Sequence, residues 1–201
     1  MDASARAAAA AMSADWTELA ELAGRDPDPR VRAVALAALV RGAPRPESTP
    51  AWKHAAVDPD RSVRRRAAEV APRLGRSAPN AALVALLVDG DAWVAEAAAY
   101  AIGEHPRPTN RAIEALTEAA AAHDDPLVRE AAVAALGAQG DPATLPAVLA
   151  ACDDRPAIRR RAVLALAAFE GPDVEARLRA ARADPDWQVR QAAEDLLGVT
   201  P

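Results

Sequence analysis

Four side chains near the middle of the chain have the types and spacing of a recognition surface. Trp93, Glu96, Tyr100 and Glu104 stand at i, i+3, i+7 and i+11, so on a helix they form one stripe. Trp and Tyr bury large areas while keeping a polar handle, which is why they and Arg dominate interface hot spots. Two basic pairs flank the stripe in sequence, Arg65-Arg66 and Arg160-Arg161, and Glu130 lies between. Two readings stand: the aromatics face a partner protein, or they pack in grooves between helices while the arginines solvate a surface. Glu69 is one turn from Arg65 and offsets its charge, and Asp153 and Asp154 precede the second pair. A solvated face ranks first for the arginines, an acidic partner second and nucleic acid third.

Other chemistry finds little support. The three histidines, His54, His105 and His123, fall in no His-x-x-x-His spacing, and the lone Cys152 forms no Cys-x-x-Cys, so no zinc ligand set is present. Ser62, Ser77 and Cys152 have no His partner within the pattern described below, and no Gly-rich phosphate loop occurs. The expectation is no catalytic, cofactor-binding or metal-binding residue and no cofactor. The net charge of -5 argues against non-specific nucleic-acid binding, which requires a cationic excess to displace counterions.

The elements that must position these residues follow from a repeat. The pattern Asp-x-x-x-x-(Val/Ile)-Arg-x-x-Ala recurs with anchors at Val31, Val63, Val94, Val128, Ile158 and Val189, separated by 32, 31, 34, 30 and 31 residues. That length accommodates two helices and two turns. Asp28, Asp60, Asp91, Asp125 and Asp186 precede the anchors by three residues and suit the N-cap of each second helix. Pro29, Pro126 and Pro156 then occupy the first helical position. Small or apolar residues follow each anchor on one face, for example Ala35, Ala38 and Leu39, or Ala132, Ala135 and Leu136. Gly103, Gly137 and Gly198 are placed as C-terminal caps. First helices are expected near 14–23, 50–57, 80–88, 110–122, 143–151 and 173–183. The segment Arg41–Thr49, RGAPRPEST, reads as the longest loop, and Pro72 should kink or end its helix. Residues 1–12 read as a leading helix or frayed cap. Repeats are expected near 13–42, 48–76, 77–105, 109–139, 141–169 and 171–199, in a single domain over 13–201.

The composition agrees: 51% of residues are hydrophobic but only 3% aromatic, so Ala, Leu and Val must fill thin layers between closely spaced helices. Trp16 and Trp52 read as packing residues of first helices, and Trp187 as a cover for the end of the core. A single cysteine fits a reducing compartment, and no run of eighteen strongly apolar residues occurs, so a cytoplasmic location is expected.

These motifs resemble the HEAT-repeat family over residues 13–199, in its short bacterial form similar to the repeats of phycobilisome-lyase HEAT-like proteins. The resemblance implies an all-α fold, a right-handed α-solenoid of about six helical hairpins, with second helices lining a concave binding surface. It also implies a polar ladder of Asp and Arg six residues apart: Asp26 with Arg32, Asp58 with Arg64, Asp153 with Arg159, and Asp184 with Arg190. Asp89 and Arg129 belong to it singly, because Ala95 and His123 replace their mates. If each Arg reaches the acid of the following repeat, both absences fall on one rung, and the junction of repeats three and four should be the most irregular.

The function implied is a non-enzymatic scaffold whose concave face binds a protein or peptide segment, with no membrane partner. A second reading is a nucleic-acid-binding or base-repair protein, since HEAT-like alkylpurine DNA glycosylases use Trp, Tyr and Asp, which Trp93, Tyr100 and Asp89 or Asp91 imitate. A lyase-type protein ranks third. HEAT-like deoxyhypusine hydroxylases bind two irons through His-Glu pairs, and this chain has only the reversed Glu104-His105. The edge formed by Leu196, Leu197 and Gly198 either pairs with a second copy or is kept soluble by Glu194 and Asp195.

Overall fold

The computed structural model describes residues 2–198. Among them it contains thirteen α-helices and three short 3-10 turns, with no strand. The chain divides into two compact units, one running to Ala101 with His105–Arg107, the other comprising Ile102–Glu104 and the chain from Pro108 on.

In the first unit α1 (Ala3–Met12), α3 (Pro29–Gly42) and α5 (Arg61–Leu74) pack in succession, and α2 (Trp16–Arg25) packs on α3 and α4 (Arg45–Ala55). α6 (Asn80–Leu87) follows against α5, then α7 (Ala92–Gly103), which belongs to this unit as far as Ala101. In the second unit α9 (Pro126–Gln139), α11 (Pro156–Ala165) and α13 (Trp187–Leu197) pack in succession. They pair with α8 (Asn110–Ala122), α10 (Leu145–Ala151) and α12 (Pro172–Ala181). Each unit is thus a stack of hairpins, the all-α repeat fold expected.

The starts of the second helices are set by local chemistry. The side chains of Asp28, Asp60, Asp91, Asp125 and Asp186 accept from the N–H two residues on, at 2.8–3.0 Å. The anchors Val31, Val63, Val94, Val128, Ile158 and Val189 are all buried. Each hairpin buries small side chains, such as Ala35, Ala67, Ala98, Ala132, Ala162 and Ala193, which let helices approach closely.

The glycines behave differently from expectation. Gly198 caps α13 in the left-handed region (φ 66°), but Gly137 lies inside α9, whose cap is Gly140 (φ 60°). A Cβ at Gly137 would stand 2.6 Å from the Cβ of Ala165, and one at Gly103 2.9 Å from the Cα of Ala135. Both glycines serve close helix approach rather than a special backbone angle.

RGAPRPEST is not a long loop. α3 runs to Gly42 and α4 begins at Arg45, leaving only Ala43 and Pro44 between them. The Thr49 hydroxyl donates to the Arg45 carbonyl at 2.7 Å, Ser48 is buried and donates to Pro44, and Arg45 Nε reaches the Leu74 carbonyl at 3.0 Å. Pro50 lies one turn in and withholds a donor only from Pro46, which is exposed. Pro72 sits near the end of α5, which stops at Leu74 before Gly75 (φ 54°).

The ladder

Arginines bridge successive hairpins within each unit. Arg32 Nε and Nη2 reach the Asp58 carboxylate at 2.8 and 2.7 Å, while Nη1 reaches the Asp26 carbonyl at 2.9 Å. Arg64 repeats this with Asp89 at 2.6 and 3.0 Å and the Asp58 carbonyl at 2.9 Å. In the second unit Arg129 grips Asp154 and Arg159 grips Asp184 in the same bidentate way. Each ladder Asp in turn accepts a backbone N–H from its own turn, such as Asp60 N to Asp58 at 2.8 Å. One guanidinium therefore closes its own turn and clasps the next.

Asp153 does not hold the rung expected of it; Asp154 does. In this hairpin the helix-ending turn runs through Asp154, whose N–H bonds the Ala151 carbonyl just as those of Asp58 and Asp184 bond Ala55 and Ala181. Asp154 thereby arrives at the ladder position, and Asp153 is left exposed, paired with Arg177 at 2.5 Å. The N-cap place here holds Arg155, which makes no side-chain capping bond.

The leading segment is part of the array. Arg6 on α1 binds Asp26 through Nε and Nη2 at 2.7 and 2.9 Å, and Asp2 caps α1 by accepting from Ala5 N at 2.8 Å. α1 packs on α3 and grips Asp26 as the second helices do with their following hairpins. The signal was present: Asp2 and Arg6 have the spacing of Asp28 and Arg32, but Ala5 replaces the β-branched anchor.

His123 stands where a ladder Asp would be, and its Nδ1 accepts from Asp125 N at 3.1 Å. His105 does likewise for Arg107 N at 3.1 Å, so its Nε2 carries the proton donated to the Ala78 carbonyl at 3.2 Å. These imidazoles close turns. Among the described residues no group of three or more His, Cys, Asp or Glu is placed to hold a metal.

Candidate partner-binding face

Within the first unit α5 and α7 bring five of the singled-out residues to one face. Trp93 and Tyr100 are 53% and 55% exposed, although the α7 residues Val94, Ala95, Ala97, Ala98 and Ala99 between them are buried. The Arg65 guanidinium lies over the Trp93 ring, 5.2 Å from its centroid, a cation–π geometry. Arg65 and Arg66 both reach Glu69, at 2.9 and 2.8 Å, so one of their two positive charges is offset locally. Glu96 lies half-buried between the two aromatics; burial pushes its carboxyl above the usual range, Arg65 opposes this, and Glu69 reinforces it.

Glu104 is exposed beyond the end of α7 and belongs to the second unit, as do Glu130, Arg160 and Arg161. There Arg161 Nη2 meets Glu130 at 3.4 Å, and the Nε atoms of Arg160 and Arg161 are shielded from solvent without an acceptor among the described residues. Leu164 is 42% exposed beside Arg161 on the wall of a shallow 360 Å³ groove between α9 and α11.

The remaining tryptophans separate. Trp52 is fully buried and donates its indole N–H to the Ala67 carbonyl at 2.7 Å. Trp16 is 41% exposed and lines a 680 Å³ groove between α2 and α4 with Ala20, Gly24, Pro50, Ala51 and His54. Trp187 is exposed and covers no core, because it opens α13 on the side away from Val189, Ala192 and Ala193. The Cys152 thiol is buried, which raises its pKa, and it contacts the Val148 carbonyl at 3.5 Å. Ser62 is engaged with Asp60 at 2.6 Å. Among the described residues no helix is long and apolar enough to cross a membrane.

Stacked hairpins with an Asp–Arg ladder and exposed aromatics on a second helix define a helical-repeat protein of the α-solenoid class. The HEAT-repeat profile matches residues 16–103, 49–137, 80–156 and 113–198 in overlapping stretches, and the chain belongs to the HEAT-repeat family. No curated protein sequence matches. Among solved structures, Escherichia coli YibA is 20% identical with a TM-score of 0.71, covering 92% of this chain and 68% of that one. A designed armadillo repeat protein in complex with the peptide (KR)4 is 16% identical with a TM-score of 0.65, covering 92% and 99%. Human deoxyhypusine hydroxylase in complex with glycerol is 22% identical with a TM-score of 0.51, covering 98% and 79%. At these identities the likeness concerns the fold.

Proposed function

We propose that this chain is a non-enzymatic, cytoplasmic scaffold that binds a segment of a partner protein on the outward face of α5 and α7. Trp93 and Tyr100 supply the buried area on binding, Arg65 holds the Trp93 ring in place, and Glu96 takes a donor from the partner. The single observation carrying this reading is that two large aromatics on one helical stripe are more than half exposed while the apolar residues between them are buried. Large exposed apolar groups gathered on one face mark interaction sites more often than isolated ones do. The fold-level likeness to a designed armadillo repeat protein holding a (KR)4 peptide supports an extended peptide as the bound form. The pairing of Arg65 and Arg66 with Glu69, and the presence of Glu96, favour a protein partner over a nucleic-acid strand.

The test is affinity capture from the native cell with the wild-type chain and with the Trp93→Ala/Tyr100→Ala double variant. Specific partners present with the first and absent with the second are expected. Identical capture by both, or retention on heparin at moderate salt, would overturn this assignment of the face.

A further inference from the structure

The outgoing side of α13 differs from those of α3, α5, α7, α9 and α11. Counted from the anchors, the fifth following residue is Leu36, Ala68, Ala99, Val133 or Val163 in the earlier hairpins, each essentially inaccessible. At α13 it is Glu194, half-exposed. The eighth is Leu39, Ala71, Ile102, Leu136 or Leu166, again buried, and at α13 is the half-exposed Leu197. The residue after the anchor is Arg190, whose Nη1 reaches the Asp184 and Pro185 carbonyls at 2.8 and 3.0 Å, as in the ladder. Its Nε and Nη2, the groups with which Arg32, Arg64, Arg129 and Arg159 grip an Asp, meet no acceptor among the described residues. Trp187, 65% exposed, completes the row.

Trp187, Arg190, Glu194 and Leu197 stand at i, i+3, i+7 and i+10, one stripe along α13. The stripe reads the same in both directions by chemical complement. Arg190 and Glu194 lie two residues either side of Ala192, and Trp187 and Leu197 five. Two α13 helices run antiparallel about a two-fold axis at the level of Ala192 therefore set Arg190 opposite the partner's Glu194, Glu194 opposite the partner's Arg190, and each Trp187 over the partner's Leu197. A two-fold contact requires such self-complementarity. An ordinary following hairpin would satisfy Arg190 with an Asp but would bury Glu194 against an apolar layer at a large desolvation cost. A second copy satisfies both charges at once.

We propose that α13 is the contact helix of a two-fold symmetric homodimer of this chain, held by reciprocal Arg190–Glu194 pairs and flanking Trp187–Leu197 contacts. The contact is independent of the face on α5 and α7. Sedimentation velocity over a concentration series should show a monomer–dimer equilibrium that weakens with salt. Arg190→Glu and Glu194→Arg each place like charges across the axis and should be monomeric, with the dimer dissociation constant raised at least about tenfold. Mixed together, the two variants regain both pairs and should form a heterodimer. A monomeric wild type, single variants that still dimerise, or a mixture that stays monomeric would each overturn the proposal. Should circular dichroism show Arg190→Glu unfolded, Glu194→Arg against Glu194→Asp decides: a monomer and a dimer respectively support it, and a dimeric Glu194→Arg sinks it.

Discussion

Arg32 and Asp58, from consecutive hairpins, meet through two hydrogen bonds of 2.8 and 2.7 Å, with side chains only 12% and 3% exposed. The same guanidinium closes the turn before its own helix through the Asp26 carbonyl. Fixing the next hairpin and closing the preceding turn are thus one event. The cost of desolvating the ions is offset because the fork is fully used.

Removing one member of that pair should therefore be costly. Arg32→Met strands a buried Asp58 and is expected to lower stability by about 3 kcal/mol, and Asp58→Asn by a similar amount. The two changes together should cost clearly less than their sum, since neither partner is then left charged alone. A double-mutant cycle by urea denaturation measures the coupling, and strict additivity would contradict the ladder.

Acid should loosen the array. Guanidinium hydrogen bonds hold Asp26, Asp89, Asp154 and Asp184 below the usual carboxylate range. A carboxyl depressed in the folded state contributes stability that is fully present above its unfolded pKa, ~4, and is lost as pH falls through the folded value. Glu96, raised by burial, works the other way and gains on acidification, but it is one group against four. The urea midpoint should stay level from neutral pH down to that value and fall beneath it; a midpoint that rises there would contradict the assignment.

Gly103 and Gly137 test close helix approach. Alanine is the better helix former by ~1 kcal/mol, yet at both positions its Cβ would press on helix backbone, and a net loss of about 1–3 kcal/mol is expected. Gly90 faces open space, so Gly90→Ala should be neutral or slightly stabilising. Thermal melts of the three variants give the order.

The tryptophans should divide by exposure. Trp52→Ala empties a fully buried site and removes the indole bond to Ala67, with an expected cost of about 4 kcal/mol. Trp93→Ala and Tyr100→Ala should cost about 1 kcal/mol or less, the Arg65 contact being the chief loss at Trp93. A large destabilisation by either exposed variant would make it a packing residue and withdraw it from the binding face.

The sequence by itself determined the period, the second-helix starts and the layered Ala-Leu-Val interior. Each of these is written in neighbouring residues: an Asp caps its own helix, and an anchor with its following small side chains forms one helical face. It also marked Trp93 and Tyr100 as a stripe, because helical spacing is local. Tertiary structure decided the rest through contacts between residues roughly one repeat apart. Asp154 rather than Asp153 takes the rung because a turn runs one residue further and only then reaches Arg129. Arg6 joins the ladder because Asp26 is brought beside it, and Arg45 begins a helix where prolines suggested a loop because its side chain finds the end of α5. Gly137 is small because Ala165 lies against it, a fact no residue near Gly137 in the chain records.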